Sequence, residues 1–181
     1  DAHVDVMGYA CLVAIMSMGR GYHCVSEVNL HQETVANDLP TPIVTSAGAL
    51  INGLKVLDAK QISIITPYMR PLTDMVVDYI ENQGIKVKQS IALEIPDNLE
   101  VAAQNPMNLL EIYKQLDLTD VDVLVASACV QMPSLEAIDL IQAECGIPVT
   151  SAAVCTTYEM MKKLGIEAKS AIGGELLSGK Y

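Results

Sequence analysis

The sequence predicts an α/β protein with parallel strands, arranged as two similar lobes. Short apolar, β-branched runs alternate along the chain with segments whose apolar residues have helical spacing, which is typical of parallel βαβ units. Two of these units share one pattern, in which Asp-Val opens an apolar strand and a cysteine separates that strand from an apolar helix. These two units are 4–16 and 121–135. The repeat predicts two pseudo-symmetric, Rossmann-like lobes, with an active site in the cleft between them.

The cysteines of this repeat, Cys11 and Cys129, are the leading candidates for chemistry. Both are predicted at the carboxyl ends of strands, the edge at which open α/β sheets bind ligands. Each is also expected just before a helix, where unpaired backbone N–H groups favour a thiolate. The alternative for either residue is that of a small buried hydrophobic side chain, the commonest environment of a free cysteine.

The remaining elements follow in chain order. The runs at 62–66 and 121–127 are almost entirely apolar, as in strands buried on both faces, whereas 85–91 alternates apolar and polar residues. We predict strands near 4–8, 43–44, 62–66, 85–91, 121–127 and 147–149, and helices near 11–18, 26–36, 47–57, 71–81, 106–116, 133–145 and 153–164. Residues 93–98 are predicted to form a loop. Residues 1–44 with 150–181 are assigned to the first lobe and 45–149 to the second.

Turn and capping residues support these boundaries. Thr45 with Ser46 has the composition of a helix cap, and Pro71 suits the first turn of a helix. Gly84 and Gly146 follow apolar helical runs, where glycine commonly ends a helix.

Composition excludes several classes of function. The net charge of −11 leaves no basic stripe for nucleic acid, and no apolar run approaches the roughly 20 residues of a membrane span. Five cysteines, an odd number, favour reduced thiols, so we predict a soluble, cytoplasmic protein. No spacing of cysteine and histidine indicates a metal site. Dinucleotide and ATP motifs are also missing, and we expect no cofactor.

Three predicted strand ends carry groups suited to catalysis: Cys11, Tyr68 and Cys129. Asn98, in the predicted loop, adds an amide. Two thiols in one cleft suit proton exchange on the two faces of a carbon beside a carboxylate. They equally suit covalent addition of one thiolate to an electron-poor carbon while the second group handles a proton. Neither reaction needs a cofactor.

Four segments resemble maleate cis–trans isomerases, which belong to the aspartate/glutamate racemase superfamily. They are Tyr9–Met16, Ile64–Tyr68, Ile95–Glu100 and Ser127–Leu135. The resemblance implies isomerisation of maleate to fumarate through a covalent succinyl-cysteine, with a small dicarboxylate as the substrate. It implies Cys11 as nucleophile, Cys129 as second essential thiol, Tyr68 and Asn98 as substrate-binding groups, and backbone N–H groups near Val13 and Val130 as donors to the developing charge.

Related activities differ at the two cysteine motifs. Superfamily racemases resemble this chain but have Cys-Asn-Thr and Cys-Thr, where this sequence has Cys11-Leu-Val and Cys129-Val-Gln. The decarboxylases of the same architecture have one of the two cysteines. A two-thiol racemase or decarboxylase is therefore the alternative, together with a thiol sensor or binding protein without turnover.

The resemblance also implies one departure from the family. Family members begin with a further strand and an asparagine-bearing loop, and we expect the first lobe to lack them in these 181 residues. The sequence leaves the oligomeric state open, a homo-oligomer included.

Overall fold

A computed structural model describes residues 3–181. Within that range the strands are β1 Met7–Tyr9, β2 Ile43–Thr45, β3 Gln61–Thr66, β4 Lys86–Ala92, β5 Val123–Ser127 and β6 Val149–Ser151. The helices are α1 Leu12–Met16, α2 Tyr22–Ala36, α3 Ser46–Val56, α4 Arg70–Glu81, α5 Asn98–Ala102, α6 Leu109–Ile112, α7 Leu135–Cys145 and α8 Ala152–Lys163. Every strand overlaps its predicted position.

The strands form two parallel sheets. The larger has the order β4-β3-β5-β6, and the smaller pairs β1 with β2, with Met7 opposite Ile43. All strand pairs in both sheets are parallel, which confirms the predicted α/β class. The carboxyl ends of β3 and β5 are neighbours in the larger sheet, so the residues that follow these strands lie close together.

The central strands of the larger sheet, β3 and β5, are buried. In β3 every residue after Gln61 is buried, and in β5 all five residues are. Burying each Ile, Leu or Val side chain contributes about 1.5–3 kcal/mol. The end of each central strand is therefore a rigid support for the residue that follows it.

Helix α3 connects the two sheets, because it runs from β2 in the smaller sheet to β3 in the larger one. Helix α8 follows β6 of the larger sheet, packs against α3 and also contacts β1 and β2. Thr45 caps α3 by accepting a hydrogen bond of 3.1 Å from the Gly48 amide. The helices approach so closely that a Cβ on Gly53 would lie 2.6 Å from Cys155 Sγ. The boundaries assigned to the two lobes stay a prediction, and β6, at one of those boundaries, pairs with β5.

Two predicted segments differ from the structure. The predicted loop at 93–98 ends in α5, because the Asp97 carboxylate caps this helix by accepting hydrogen bonds from the amides of Leu99 and Glu100. The predicted helix at 106–116 is broken into α6 and flanking 3₁₀ turns. Within the described range, no helix has the length and apolarity needed to cross a membrane.

Candidate active site

A cavity of about 120 Å³ lies where the segments following β1, β3 and β5 meet. Its lining contains all six site residues predicted from the sequence. The lining residues are Ala10, Cys11, Leu12, Val13, Tyr68, Asn98, Val101, Cys129, Val130 and Gln131. The structure therefore brings thiols from two different sheets to one small space, whose size suits a ligand of a few non-hydrogen atoms.

Cys11 stands between β1 and α1, as the sequence predicts. It is the N-cap residue of α1, with extended backbone (φ −130°, ψ 97°), and its side chain makes no capping hydrogen bond. The residue is exposed. Burial of Leu12, Ile15 and Met16 fixes the helix behind it. The Cys11 thiol is thus held at a rigid point and is accessible from solvent.

Cys129 follows β5 and is buried, with 6% of its surface exposed. The helix predicted near 133–145 is present as α7, but it begins at Leu135, so no helix N-terminus lies directly at this thiol. Pro133 disfavours helical backbone at the residue before it, which delays the helix. The turn is instead held by the Ser127 hydroxyl, which donates to the Cys129 carbonyl over 2.8 Å, and by the Ala128 amide, which donates to Ile65 over 2.9 Å.

Tyr68 lies two residues beyond β3, with its hydroxyl inside the site. The hydroxyl donates a hydrogen bond of 3.2 Å to the Ala128 carbonyl. Burial raises the pKa of Tyr68 strongly, and the nearby Cys129 and Cys11 raise it further. Tyr68 therefore remains protonated and acts as a hydrogen-bond donor beside both thiols.

Asn98 is the first residue of α5 and lines the cavity. Its carbonyl accepts a hydrogen bond of 2.6 Å from Gln131 Nε2. Sequence reasoning missed Gln131 as a site residue. The signal that could have found it is its position, two residues after Cys129 in one of the four resembling segments.

Backbone donors are available at both cysteine turns. Val13 lies in the first turn of α1, where amides have no acceptor within the helix. The Val130 amide makes no hydrogen bond among residues 3–181. Both residues line the cavity, so these groups are suited to stabilise negative charge on a bound molecule.

The other three cysteines lie outside the cavity. Cys24 is exposed on α2, and Cys145 is partly buried at the end of α7. Burial raises the pKa of the Cys155 thiol to about 12, which makes it unreactive at neutral pH. In the part of the chain that the structure describes, no cluster of three or more histidine, cysteine or acidic residues could hold a metal ion.

A larger cavity of about 490 Å³ adjoins the site and shares Val130 with it. Its lining is mostly apolar and comes from the start of α7, from α8 and from residues 169–177. It contains no cysteine, so two-thiol chemistry belongs to the smaller cavity.

Comparison with known proteins identifies the family. The family described as arylmalonate decarboxylase matches residues 4–177. Maleate isomerase from Geobacillus stearothermophilus is 54% identical over 181 residues, which are all of this chain and 72% of the relative. The chain belongs to the maleate isomerases of this family. The predicted resemblance is confirmed.

Solved structures of maleate isomerases have the same fold. A Cys→Ala variant from Pseudomonas putida S16, crystallised with maleate, is 57% identical and superposes with a TM-score of 0.99, over 100% of this chain and 72% of that one. A Cys→Ser variant from Nocardia farcinica carries a covalently bound succinylcysteine intermediate. It is 39% identical, with a TM-score of 0.95, over 100% of this chain and 74% of that one.

Proposed function

We propose that this chain isomerises maleate to fumarate without a cofactor, through a covalent succinyl-cysteine. The observation that carries the proposal is the shared cavity of Cys11 and Cys129, the only two of the five cysteines in its lining. A small cis-dicarboxylate can contact both thiols there at once. Because all five cysteines are free, we place the reaction in the reducing cytoplasm.

In the first step, the Cys11 thiolate attacks one alkene carbon of maleate and forms a C–S bond. Cys11 is the candidate nucleophile because it is exposed and has no competing hydrogen bond as a cap residue. The π electrons move to the other alkene carbon and into its carboxylate, which becomes an enediolate. The negative charge of the thiolate is thereby transferred to the far end of the substrate.

The site must stabilise this charge as it develops. Tyr68 remains a neutral donor because burial raises its pKa, and Asn98, which also lines the cavity, supplies an amide. The amides at Val13 and Val130 are further donors whose positions are fixed before reaction. Donors that need no rearrangement are the most effective electrostatic contributors to catalysis.

We assign to Cys129 the role of proton donor and acceptor. Its thiol donates a proton to the carbanionic carbon and gives succinyl-cysteine, and its thiolate later takes the same proton back. Between these steps the former double bond is single and rotates. The enediolate then re-forms the alkene and expels the Cys11 thiolate, so that fumarate leaves and both sulfurs return to their starting states.

The Nocardia farcinica structure supports a covalent path, since that variant retains a succinylcysteine although one cysteine has become serine. The residue types at the two turns also favour isomerisation over racemisation. Leu12 and Val13 after Cys11, and Val130 after Cys129, offer no polar side chain for an α-ammonium group.

The experiment is to incubate the purified chain with maleate and follow the alkene protons by NMR. We expect the maleate signal to be replaced by that of fumarate, with no cofactor added. If maleate blocks the thiols but no fumarate is formed, the proposal is contradicted and a thiol sensor or binding protein is favoured.

A further inference from the structure

Gln131 connects two segments that line the cavity. It lies on the turn that carries Cys129, and its side-chain Nε2 donates a 2.6 Å hydrogen bond to the carbonyl of Asn98 on α5. Both residues line the cavity. The bond therefore spans from the segment that bears the second thiol to the segment that bears the candidate carboxylate ligand.

Helix α5 has few other attachments. It contains five residues, and only Val101 among them is buried. A helix this short has little stability of its own. The Asp97 cap fixes the direction of its first turn but comes from the same segment, so it cannot fix the distance from α5 to Cys129. The Gln131 side chain makes that connection directly.

We propose that Gln131 is a positioning residue, which holds Asn98 at the distance from Cys129 that a small dicarboxylate requires. The inference rests on the proposed isomerase function. Gln131 acts through Asn98 and takes no part in bond making. Its loss lets α5 move away from the Cys129 turn, and the site then binds the substrate carboxylate less well while the thiols keep their places.

The primary variant is Gln131→Met, which keeps the length of the side chain and removes the donor. A matched control is Gln104→Met, because Gln104 Nε2 makes an equivalent bond of 3.0 Å to the carbonyl of Glu100 but does not line the cavity. We expect Gln131→Met to lower kcat/KM about tenfold, mainly through a higher KM, and the control to stay within about twofold. Equal effects of the two variants would overturn the inference.

A double-mutant cycle separates positioning from direct substrate contact. If Gln131 acts through Asn98, Gln131→Met causes no further loss in an Asn98→Ala background, because the side chain it positions is already gone. Additive losses would show that Gln131 contacts the substrate itself and would overturn the positioning role.

Hydrogen exchange tests the connection independently of turnover. We expect the amides of 99–103 to exchange about threefold to tenfold faster in Gln131→Met, with those of α4 unchanged, since a hydrogen bond contributes modestly to local stability. Unchanged exchange would overturn the inference even if wild-type chain turns over maleate. Faster exchange in a chain that makes no fumarate would overturn the proposed function and leave the structural connection intact.

Discussion

The Tyr68 hydroxyl donates a 3.2 Å hydrogen bond to the carbonyl of Ala128, the residue directly before Cys129. This bond joins the end of β3 to the turn that presents the buried thiol. A phenol has one proton to donate. On the proposed mechanism, the Tyr68 hydroxyl turns from the Ala128 carbonyl to a carboxylate of the substrate. It loses the first hydrogen bond when it forms the second, so the gain from binding the substrate is the difference between the two.

Replacement of Tyr68 by phenylalanine tests this hydroxyl. We expect Tyr68→Phe to lower kcat about 100-fold, the usual effect of removing one donor to a developing charge. Tyr158→Phe is the control, because Tyr158 is buried on α8 and lies outside the cavity. The measurement is maleate turnover by NMR, and equal rates for the two variants would remove Tyr68 from the site.

The two thiols have different expected roles. Cys11→Ser abolishes both turnover and the covalent adduct, since a serine hydroxyl without a base is a poor nucleophile. Cys129→Ser abolishes turnover but still accumulates an adduct on Cys11. Intact-mass measurement after incubation with maleate distinguishes these outcomes, and an adduct found on Cys129 would reverse the assignment.

Exposure predicts an order of labelling by iodoacetamide. Cys11 and Cys24 are both exposed, but only Cys11 lines the cavity. We expect both to be labelled before Cys155, and maleate to protect Cys11 while leaving Cys24 unaffected. Peptide mass mapping of a partly labelled sample gives the labelled fraction of each cysteine, with and without maleate. Equal protection of Cys11 and Cys24, or no protection of either, would contradict the site.

Buried Cys155 predicts a loss of stability at high pH. The unfolded thiol ionises near its ordinary pKa of 9.0, whereas burial raises the folded value to about 12. Between these values the folded chain retains a proton that the unfolded chain has released, so the free energy of unfolding falls as pH rises. Urea unfolding between pH 8 and 11 should show a shallower decline in Cys155→Ala than in wild type. Parallel curves would contradict this contribution.

Much of the fold could be predicted from the sequence, because local patterns determine it. The apolar runs of β3 and β5 have few other ways to be buried, and the repeated Asp-Val-strand-cysteine pattern placed Cys11 and Cys129 at strand ends. Helix α5 was missed because its stability depends on the Asp97 cap and on contacts with distant residues rather than on its own composition.

The candidate site was predicted less completely for the same reason. Position along a strand is a local property, and it predicts that the two thiols lie just beyond strand ends, where the structure has them. The hydrogen bond between Gln131 and Asn98 joins residues 33 positions apart, and no periodicity of the sequence predicts such a contact. By contrast, the start of α7 at Leu135 lies within two residues of its predicted position, because Pro133 is a local signal.

The two thiols belong to different sheets, and those sheets are connected by the close contact of α3 with α8 at Gly53 and Cys155. The distance between the two sulfurs therefore depends on how the two sheets are held together, and so on this contact between α3 and α8. An added methyl group at position 53 would lie 2.6 Å from Cys155 Sγ, so the contact between α3 and α8 would have to change although neither residue lines the cavity. We therefore expect substitutions at this interior helix contact to alter turnover, although an inspection of the cavity lining would not select them.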